Sequence, residues 1–323
     1  MSARRHHGRR ARLRSTGSWI ARAGHRSRSR IAPHSERASN PVGHNNDSHA
    51  LAFAGKDSIP LTHEKAPHET SILEKFSLKG KTALVTGSSR GLGAAIAVAL
   101  AQAGANVAVH GSTSVPKATQ HKLETMGAKS VALVGDVGDA AICAMLVAET
   151  VQHFDTIDIL VNNAGIIRRA PAAEYAEDDW RAVIDVNLSS VFRLTQLAGR
   201  HMLKQGSGKI INIASLLTFQ GGIFVPAYSA AKGGVGQLTK AFANEWASKG
   251  VNVNAIAPGY MDTDNTEALR NNPERAKQIL ERIPAGRWGH PEDLAGAAVF
   301  LASGASDYVH GHVLVVDGGW LNR

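Results

Sequence analysis

From about Lys79 to its end, the chain alternates between two textures. Short apolar runs rich in β-branched residues recur at Thr82–Thr86, Asn106–His110, Ser130–Val134, Ile157–Asn162, Lys209–Ala214, Val251–Ala257 and His312–Val316. Amphipathic or Ala-rich stretches of helix length separate them. Runs without polar alternation belong to strands covered on both faces, and strand–helix–strand alternation means a parallel sheet between helices. Right-handed crossovers then wind the chain into a doubly wound α/β sheet of about seven strands, a single domain over 71–323. No internal repeat is evident. Residues 1–70 show almost no apolar periodicity and are expected to form a disordered leader.

Composition narrows the function classes. Of 323 residues, 43% are hydrophobic, so a large core is possible, and only 20% are charged, which argues against a coiled coil. The single cysteine, Cys143, excludes an intramolecular disulfide and a multi-cysteine zinc site. His63 and His68 lack the spaced carboxylates or cysteines that a metal would need, so no metal is expected. No apolar run is long enough to cross a membrane. The net charge of +9 suggests a nucleic-acid partner until it is located: residues 1–50 carry 11 Arg against Glu36 and Asp47, while the other 273 residues carry 25 basic and 25 acidic groups. The basic character belongs to the leader. Its Arg- and Ser-rich, acid-poor composition fits an organellar transit peptide, a tether to nucleic acid or membrane, or a dispensable tail read from an upstream start. Arg4-Arg5 and Arg9-Arg10 are not followed by the apolar segment of a twin-arginine signal. With neither a secretory signal nor a disulfide pair, the cytoplasm is the default.

The first strand run leads straight into Thr86-Gly87-Ser88-Ser89-Arg90-Gly91-Leu92-Gly93 and then an Ala-rich helix. Glycines between a first strand and a first helix let backbone N–H groups approach a pyrophosphate, and the positive end of the helix dipole adds to the attraction. In this strand–turn–helix setting the loop points to a dinucleotide cofactor and a Rossmann-type sheet. Downstream, Tyr228-Ser229-Ala230-Ala231-Lys232 places a phenol and an ammonium one helical turn apart. A neighbouring cation favours phenolate, so the spacing predicts a Tyr228 pKa lowered toward working pH, as a general acid/base for alcohol–ketone exchange requires. Ser215, 13 residues earlier at the end of the fifth run, can bind the reacting oxygen.

The spacing T-G-x3-G-x-G, together with Y-x3-K and the upstream Ser, resembles the short-chain dehydrogenase/reductase family over about residues 76–323. The resemblance implies an active, NAD(P)-dependent oxidoreductase acting on CH-OH groups. It assigns Gly87, Ser89, Arg90, Gly91, Leu92 and Gly93 to the cofactor phosphates, and Asp136 and Val137 to the adenine. Asn163, Ala164 and Gly165, in the N-N-A-G turn, fall beside the ribose. Pro258, Gly259 and Thr263 fall at the nicotinamide carboxamide. Asn187 completes a catalytic tetrad with Ser215, Tyr228 and Lys232, joining Lys232 to a water relay. NAD-using members end the second strand with an acid. Here Val109-His110-Gly111-Ser112-Thr113 has none, while Arg90 and Ser112 suit a 2′-phosphate. These residues lean to NADP; the subfamily resemblance leans to NAD.

Several stretches are more particular: NNAGIIRR at 162–169, FQGG at 219–222, IPAGRWG at 283–289 and DGGWLNR at 317–323. Their combination resembles the sugar-acid branch of the family, the 2-dehydro-3-deoxy-D-gluconate 5-dehydrogenases, also described as 2-deoxy-D-gluconate 3-dehydrogenases. The substrate expected is a small anionic sugar acid. Arg168 and Arg169 are placed to pair with its carboxylate, or else form a solvated or subunit-contact pair. Gln220 and Tyr260 are polar candidates at the pocket mouth, with Trp288 and Trp320 as walls or core. Gluconate 5-dehydrogenases and 3-oxoacyl-carrier-protein reductases share the same motifs. Outside the enzymes, a cofactor-sensing protein is disfavoured by the filled tetrad, and a nucleic-acid binder would have to act through the leader. The family resemblance also implies a homotetramer, contacting through the helix near Tyr228, the Trp180–Lys204 helix and the last strand.

Overall fold

Strands form at each of the seven apolar runs in the computed structural model, which describes residues 71–323. They are β1 (Thr82–Val85), β2 (Asn106–Gly111), β3 (Ser130–Val134), β4 (Ile159–Asn162), β5 (Gly208–Ile213), β6 (Val251–Pro258) and β7 (Val313–Val316). All neighbours pair in parallel in the order β3-β2-β1-β4-β5-β6-β7, the doubly wound arrangement expected. Every residue of β1, β4 and β6 is buried; β1 and β4 accordingly read as near-continuous apolar runs, while β6 also buries Asn252 and Asn254. The expected leader, with His63 and His68, lies outside the described residues.

The connecting helices are α1 (Gly91–Gln102), α2 (Lys117–Thr125), α3 (Ala140–Phe154), α4 (Glu177–Ile184), α5 (Ser190–Gln205), α6 (Pro226–Trp246), α7 (Asp264–Arg270), α8 (Pro273–Arg282) and α9 (Ala295–Ala302). Alternate strand residues feed opposite layers. Val85, Val107, Ile211 and Ile256 pack with Ile96 and Leu100 of α1 and Leu301 of α9. Leu84, Leu160, Ile210 and Val253 pack with Leu146 of α3, Leu194 and Met202 of α5 and Trp246 of α6. Crossovers reverse direction between β1 and β4, so a crevice opens there at the C-terminal ends of the strands.

One polar chain interrupts the second layer. Asn162 and Asn212 are register partners on β4 and β5. Asn162 Nδ2 donates to Thr195 Oγ1 of α5 at 3.0 Å and to Asn212 Oδ1 at 2.8 Å. Asn212 Nδ2 donates to Thr239 Oγ1 of α6 at 2.9 Å. All four residues are buried, so each bond is protected from water and costly to lose. The chain fixes α5 and α6 to the sheet beneath the crevice. Asn212→Ala removes two of these bonds and strands their partners, and is expected to destabilise the fold by about 3 kcal/mol. Denaturant unfolding of the variant checks this; a loss below about 1 kcal/mol would show that the chain is not a fastening.

Candidate active site

The crevice is built first by the loop after β1. Gly87 takes φ +62°, a conformation L side chains rarely adopt. At Gly93 a Cβ would run into the Gly87 carbonyl and the Asn163 amide, so the opening of α1 can sit on the loop only as glycine. The loop is stapled to the N-N-A-G turn after β4. Thr86 Oγ1 accepts from Asn163 N at 3.0 Å and Ala164 N at 3.1 Å. Asn163 Nδ2 donates back to Thr86 O at 2.9 Å and Gly87 O at 3.0 Å. The Asn163 side chain therefore serves the loop itself. No side chain caps the N-terminus of α1, whose N–H groups are left facing the crevice.

The other cofactor candidates surround this point. Ser89 adjoins α2, its carbonyl accepting from Thr119 Oγ1 at 3.3 Å. Ser112 is exposed after β2, and Asp136 is exposed after β3, its carboxylate accepting from Gly138 N at 2.9 Å. Val137 is buried in the second core layer, so its side chain faces the core and only its backbone is left for a cofactor. Leu92 is a partly buried side chain packed on the first layer. Gly165 lies where a Cβ would come within 2.7 Å of Asn187 Oδ1, so the turn passes close to that helix. Pro258 ends β6, and a Cβ on Gly259 would lie 2.6 Å from Asp317 Cα. The Thr263 methyl rests against Gly91. Arg90, expected free for a phosphate, makes an ion pair with Asp264 at 2.6 Å that bridges the glycine loop to α7.

Two residues here have a role that the motif does not assign: Thr86 opens the glycine motif but reads as a strand end, and His110 reads as one more residue of an apolar run. Both are buried, and both hold the glycine loop in place. The only available signal was polarity in an otherwise apolar run at the loop-facing end of a strand.

The catalytic candidates meet across β5 and α6. Ser215 starts the short turn after β5, its Oγ accepting from Leu217 N at 3.2 Å. Thr218 of that turn donates to Lys232 O at 2.9 Å, tying the turn to α6. Lys232 is buried; its Nζ donates to Ile213 O at 2.6 Å and lies 5.5 Å from the Tyr228 ring centre. Burial pushes the Lys232 pKa down to about 8. Tyr228 differs from the sequence expectation. Its pKa is raised, because burial of the phenol outweighs both the Ser215 hydroxyl and the nearby Arg169 charge, which lower it. Arg169 adds a second positive charge near the phenol, while the Lys232 ammonium, beside the ring, is anchored by the Ile213 carbonyl.

Asn187 sits in a π turn, Asp185–Ser189, that joins α4 to α5. Such turns widen a helix by one residue and are common at functional sites. Its Nδ2 donates to Val183 O and Ile166 O, both at 2.9 Å, so it grips the loop after β4 that carries Arg168 and Arg169. Those two arginines separate. Arg168 turns outward to Asp179 at 3.4 Å, while Arg169 reaches Asn265 O of α7 at 3.1 Å and its charge pulls the Tyr228 pKa down. Gln220 is partly buried after the Ser215 turn. Tyr260 packs at 4.5 Å from Trp320 and 5.6 Å from Trp288, ring centre to ring centre, and Trp320 is buried. Among the described residues no cluster of three metal-ligating side chains occurs, and no helix is long and apolar enough to cross a membrane.

Comparison with known proteins agrees with this geometry. A family profile described as Enoyl-(Acyl carrier protein) reductase matches residues 87–321. The 2-dehydro-3-deoxy-D-gluconate 5-dehydrogenase of Bacillus subtilis (strain 168) is 57% identical over 250 residues, 77% of this chain and 98% of that protein. A proposed 2-deoxy-D-gluconate 3-dehydrogenase from Agrobacterium tumefaciens, solved with bound NADP, matches with a TM-score of 0.71 at 55% identity, covering 77% of this chain and 99% of that one. A proposed NAD(P)-dependent gluconate 5-dehydrogenase from Beutenbergia cavernae, with NADP at low occupancy, matches with a TM-score of 0.75 at 51% identity, covering 77% and 100%. Identity at this level across the whole sheet and crevice means that the chain belongs to the short-chain dehydrogenase/reductase family.

Proposed function

We propose that the chain is an NAD(P)-dependent oxidoreductase of sugar acids, a 2-dehydro-3-deoxy-D-gluconate 5-dehydrogenase (2-deoxy-D-gluconate 3-dehydrogenase), with residues 71–323 as its single catalytic domain. The observation that carries this reading is the pairing of Tyr228 and Lys232 beside Ser215, with Lys232 Nζ 5.5 Å from the Tyr228 ring centre, an acid/base for alcohol–ketone exchange. Arg169, whose charge acts on the phenol, would supply a carboxylate-binding group beside it. The names of the similar proteins from Bacillus subtilis and Agrobacterium tumefaciens support the same substrate class.

The residues fit a dinucleotide: the uncapped start of α1 offers backbone donors, and Gly93 leaves the close approach that a side chain would fill. Gly87, Ser89, Gly91, Leu92 and Gly93 would hold its phosphates, Asp136 and the Val137 backbone its adenine, and Pro258, Gly259 and Thr263 its nicotinamide end. The nicotinamide nucleotide supplies the hydride acceptor or donor when bound. Tyr228 moves the hydroxyl proton and Ser215 holds the reacting oxygen. Lys232 holds the nucleotide ribose and, while charged, favours phenolate at Tyr228. Asn187 fixes the turn that carries Arg169. NADP is favoured locally: β2 ends in Gly111, where a Cβ would run into the Ser114 carbonyl, so no acid can stand there. A homotetramer is supported by the groove of Leu188, Phe192, Gly234 and Leu238 between α5 and α6, where Phe192 is 42% exposed. The cytoplasm fits an enzyme of nicotinamide nucleotides.

Initial rates with NAD and NADP would be recorded against 2-dehydro-3-deoxygluconate, 2-deoxygluconate, gluconate and an acetoacetyl thioester. Fastest turnover is expected on the deoxy sugar acids. Silence there with rapid thioester reduction would move the protein to the acyl reductases. Tyr228→Phe is expected to lose about a thousandfold in kcat while still binding nucleotide. Arg169→Ala should raise the sugar-acid KM about tenfold or more, and Arg168→Ala should leave it nearly unchanged. Equal effects of the two would remove Arg169 from the carboxylate site.

Lys232 also carries a stability signature. Its pKa of about 8 lies more than two units below the usual lysine value, so keeping the ammonium charged at neutral pH costs the fold about 3 kcal/mol. Between pH 8 and about 10.4 the unfolded chain holds a proton that the folded chain has released, so stability rises with pH across that window. Lys232→Met removes this dependence. The wild type should gain about 2 kcal/mol on the inactive variant between pH 7 and 10 in denaturant unfolding. A pH-independent gap would show that Lys232 keeps its ordinary pKa in the folded site and stays charged throughout this range.

A further inference from the structure

A buried imidazole joins the two loops that frame the proposed nucleotide site. His110, near the end of β2, is 1% exposed. Its Nδ1 lies 3.0 Å from Gly87 N, and its Nε2 lies 2.8 Å from Gly135 O. A backbone N–H only donates and a carbonyl only accepts, so these partners fix the tautomer: Nδ1 is bare and Nε2 carries the proton. The ring is neutral, since an imidazolium would set one N–H against another at Gly87. Burial pushes the His110 pKa below its ordinary value, against the opposing pull of the Gly135 carbonyl and Asp136.

The backbone around the ring belongs to the same knot. His110 N donates to Ser88 Oγ at 2.9 Å, Ser88 N donates to His110 O at 2.8 Å, and Ser88 Oγ donates to Val85 O at 2.8 Å. On the other side Gly135 N donates to Gly111 O at 3.1 Å. One ring thus spans from the first glycine of the phosphate loop to the residue that precedes Asp136.

We propose that His110 is a positioning residue for the dinucleotide, setting the spacing between the glycine loop that receives the phosphates and the Asp136 loop that meets the adenine. This rests on the NAD(P) reading of the site. The ring provides an acceptor and a donor on opposite edges. Asparagine can supply an acceptor near the Nδ1 position for Gly87 but falls short of Gly135, and phenylalanine fills the volume while supplying neither.

The test is direct binding of NADPH and NADH, followed by nucleotide fluorescence, to the full chain as wild type, His110→Phe and His110→Asn, with steady-state kinetics and thermal melting alongside. His110→Phe is expected to weaken nucleotide binding about tenfold and to raise the nucleotide KM in step, while kcat at saturating nucleotide and the sugar-acid KM stay within about twofold. His110→Asn is expected to recover about half of that loss, on a logarithmic scale. Unchanged affinity in His110→Phe, a loss that falls on kcat instead, or an asparagine variant no better than phenylalanine would each overturn the proposal. If His110→Phe does not fold, His110→Asn decides: weakened nucleotide affinity with intact kcat supports it, and unchanged affinity or lost kcat overturns it. A wild type that binds neither nucleotide would instead sink the cofactor reading beneath it.

Discussion

The reciprocal hydrogen bonds between Thr86 and Asn163 across the β1–β4 crevice are the constraint on which the site depends. A glycine-rich loop can present its N–H groups to a ligand only if something else keeps it from collapsing onto the sheet. Thr86 and Asn163 do this by satisfying backbone groups from below, which leaves the start of α1 uncapped above. The flexibility that glycine allows is thereby removed by side chains outside the loop itself. The same logic continues along the sheet edge. Thr218 ties the Ser215 turn to α6, and Asn187 ties the loop that follows the N-N-A-G turn to its π turn.

Beneath this edge the fold accommodates an unfavourable charge. A lysine with one carbonyl partner in a dry core is destabilising, and nothing in the described residues neutralises it with a carboxylate: its bond goes to Ile213 O. The polar chain from Thr195 through Asn162 and Asn212 to Thr239 offsets this by locking α5 and α6 where the lysine and tyrosine must stand. Strain of this kind is expected where function and stability compete.

Much of this was legible in the sequence, for physical reasons that also mark where reading stops. Strands such as Ala83–Val85 and Ile159–Val161 are apolar on both faces, and a covered parallel sheet produces that texture. The glycine loop and the Tyr228–Lys232 spacing depend on local geometry, which sequence encodes directly. What sequence does not encode is direction and burial. Arg168 and Arg169 are neighbours in the chain but point to different partners, because successive side chains of an extended segment diverge. The Tyr228 pKa differs in sign from what the spacing predicts, since spacing reveals the nearby cation but not the desolvation that outweighs it. The role of His110 is not legible because a polar residue within an apolar run shows its purpose only when Gly87 and Gly135 close around it.

Cofactor phosphate preference follows the same division. An NAD-type site needs a carboxylate at the end of β2, but Gly111 has no room for a side chain beneath the Ser114 carbonyl, so the local backbone and not merely the local residue excludes it. Arg90 remains the one cation of the glycine loop, held by Asp264 in a pair whose partners are 76% and 67% exposed. An exposed pair of this kind is worth about 1 kcal/mol or less, whereas a phosphate offers an arginine two parallel charge-assisted bonds. On the proposed NADP reading, exchange of Asp264 for a 2′-phosphate would be downhill in electrostatics. It would also release the contact between the glycine loop and α7, the helix that carries the Asn265 carbonyl bound by Arg169. The partner of Arg90 and the carbonyl that holds Arg169 thus share one short helix. A substitution at Asp264 acts on both ends of the crevice together.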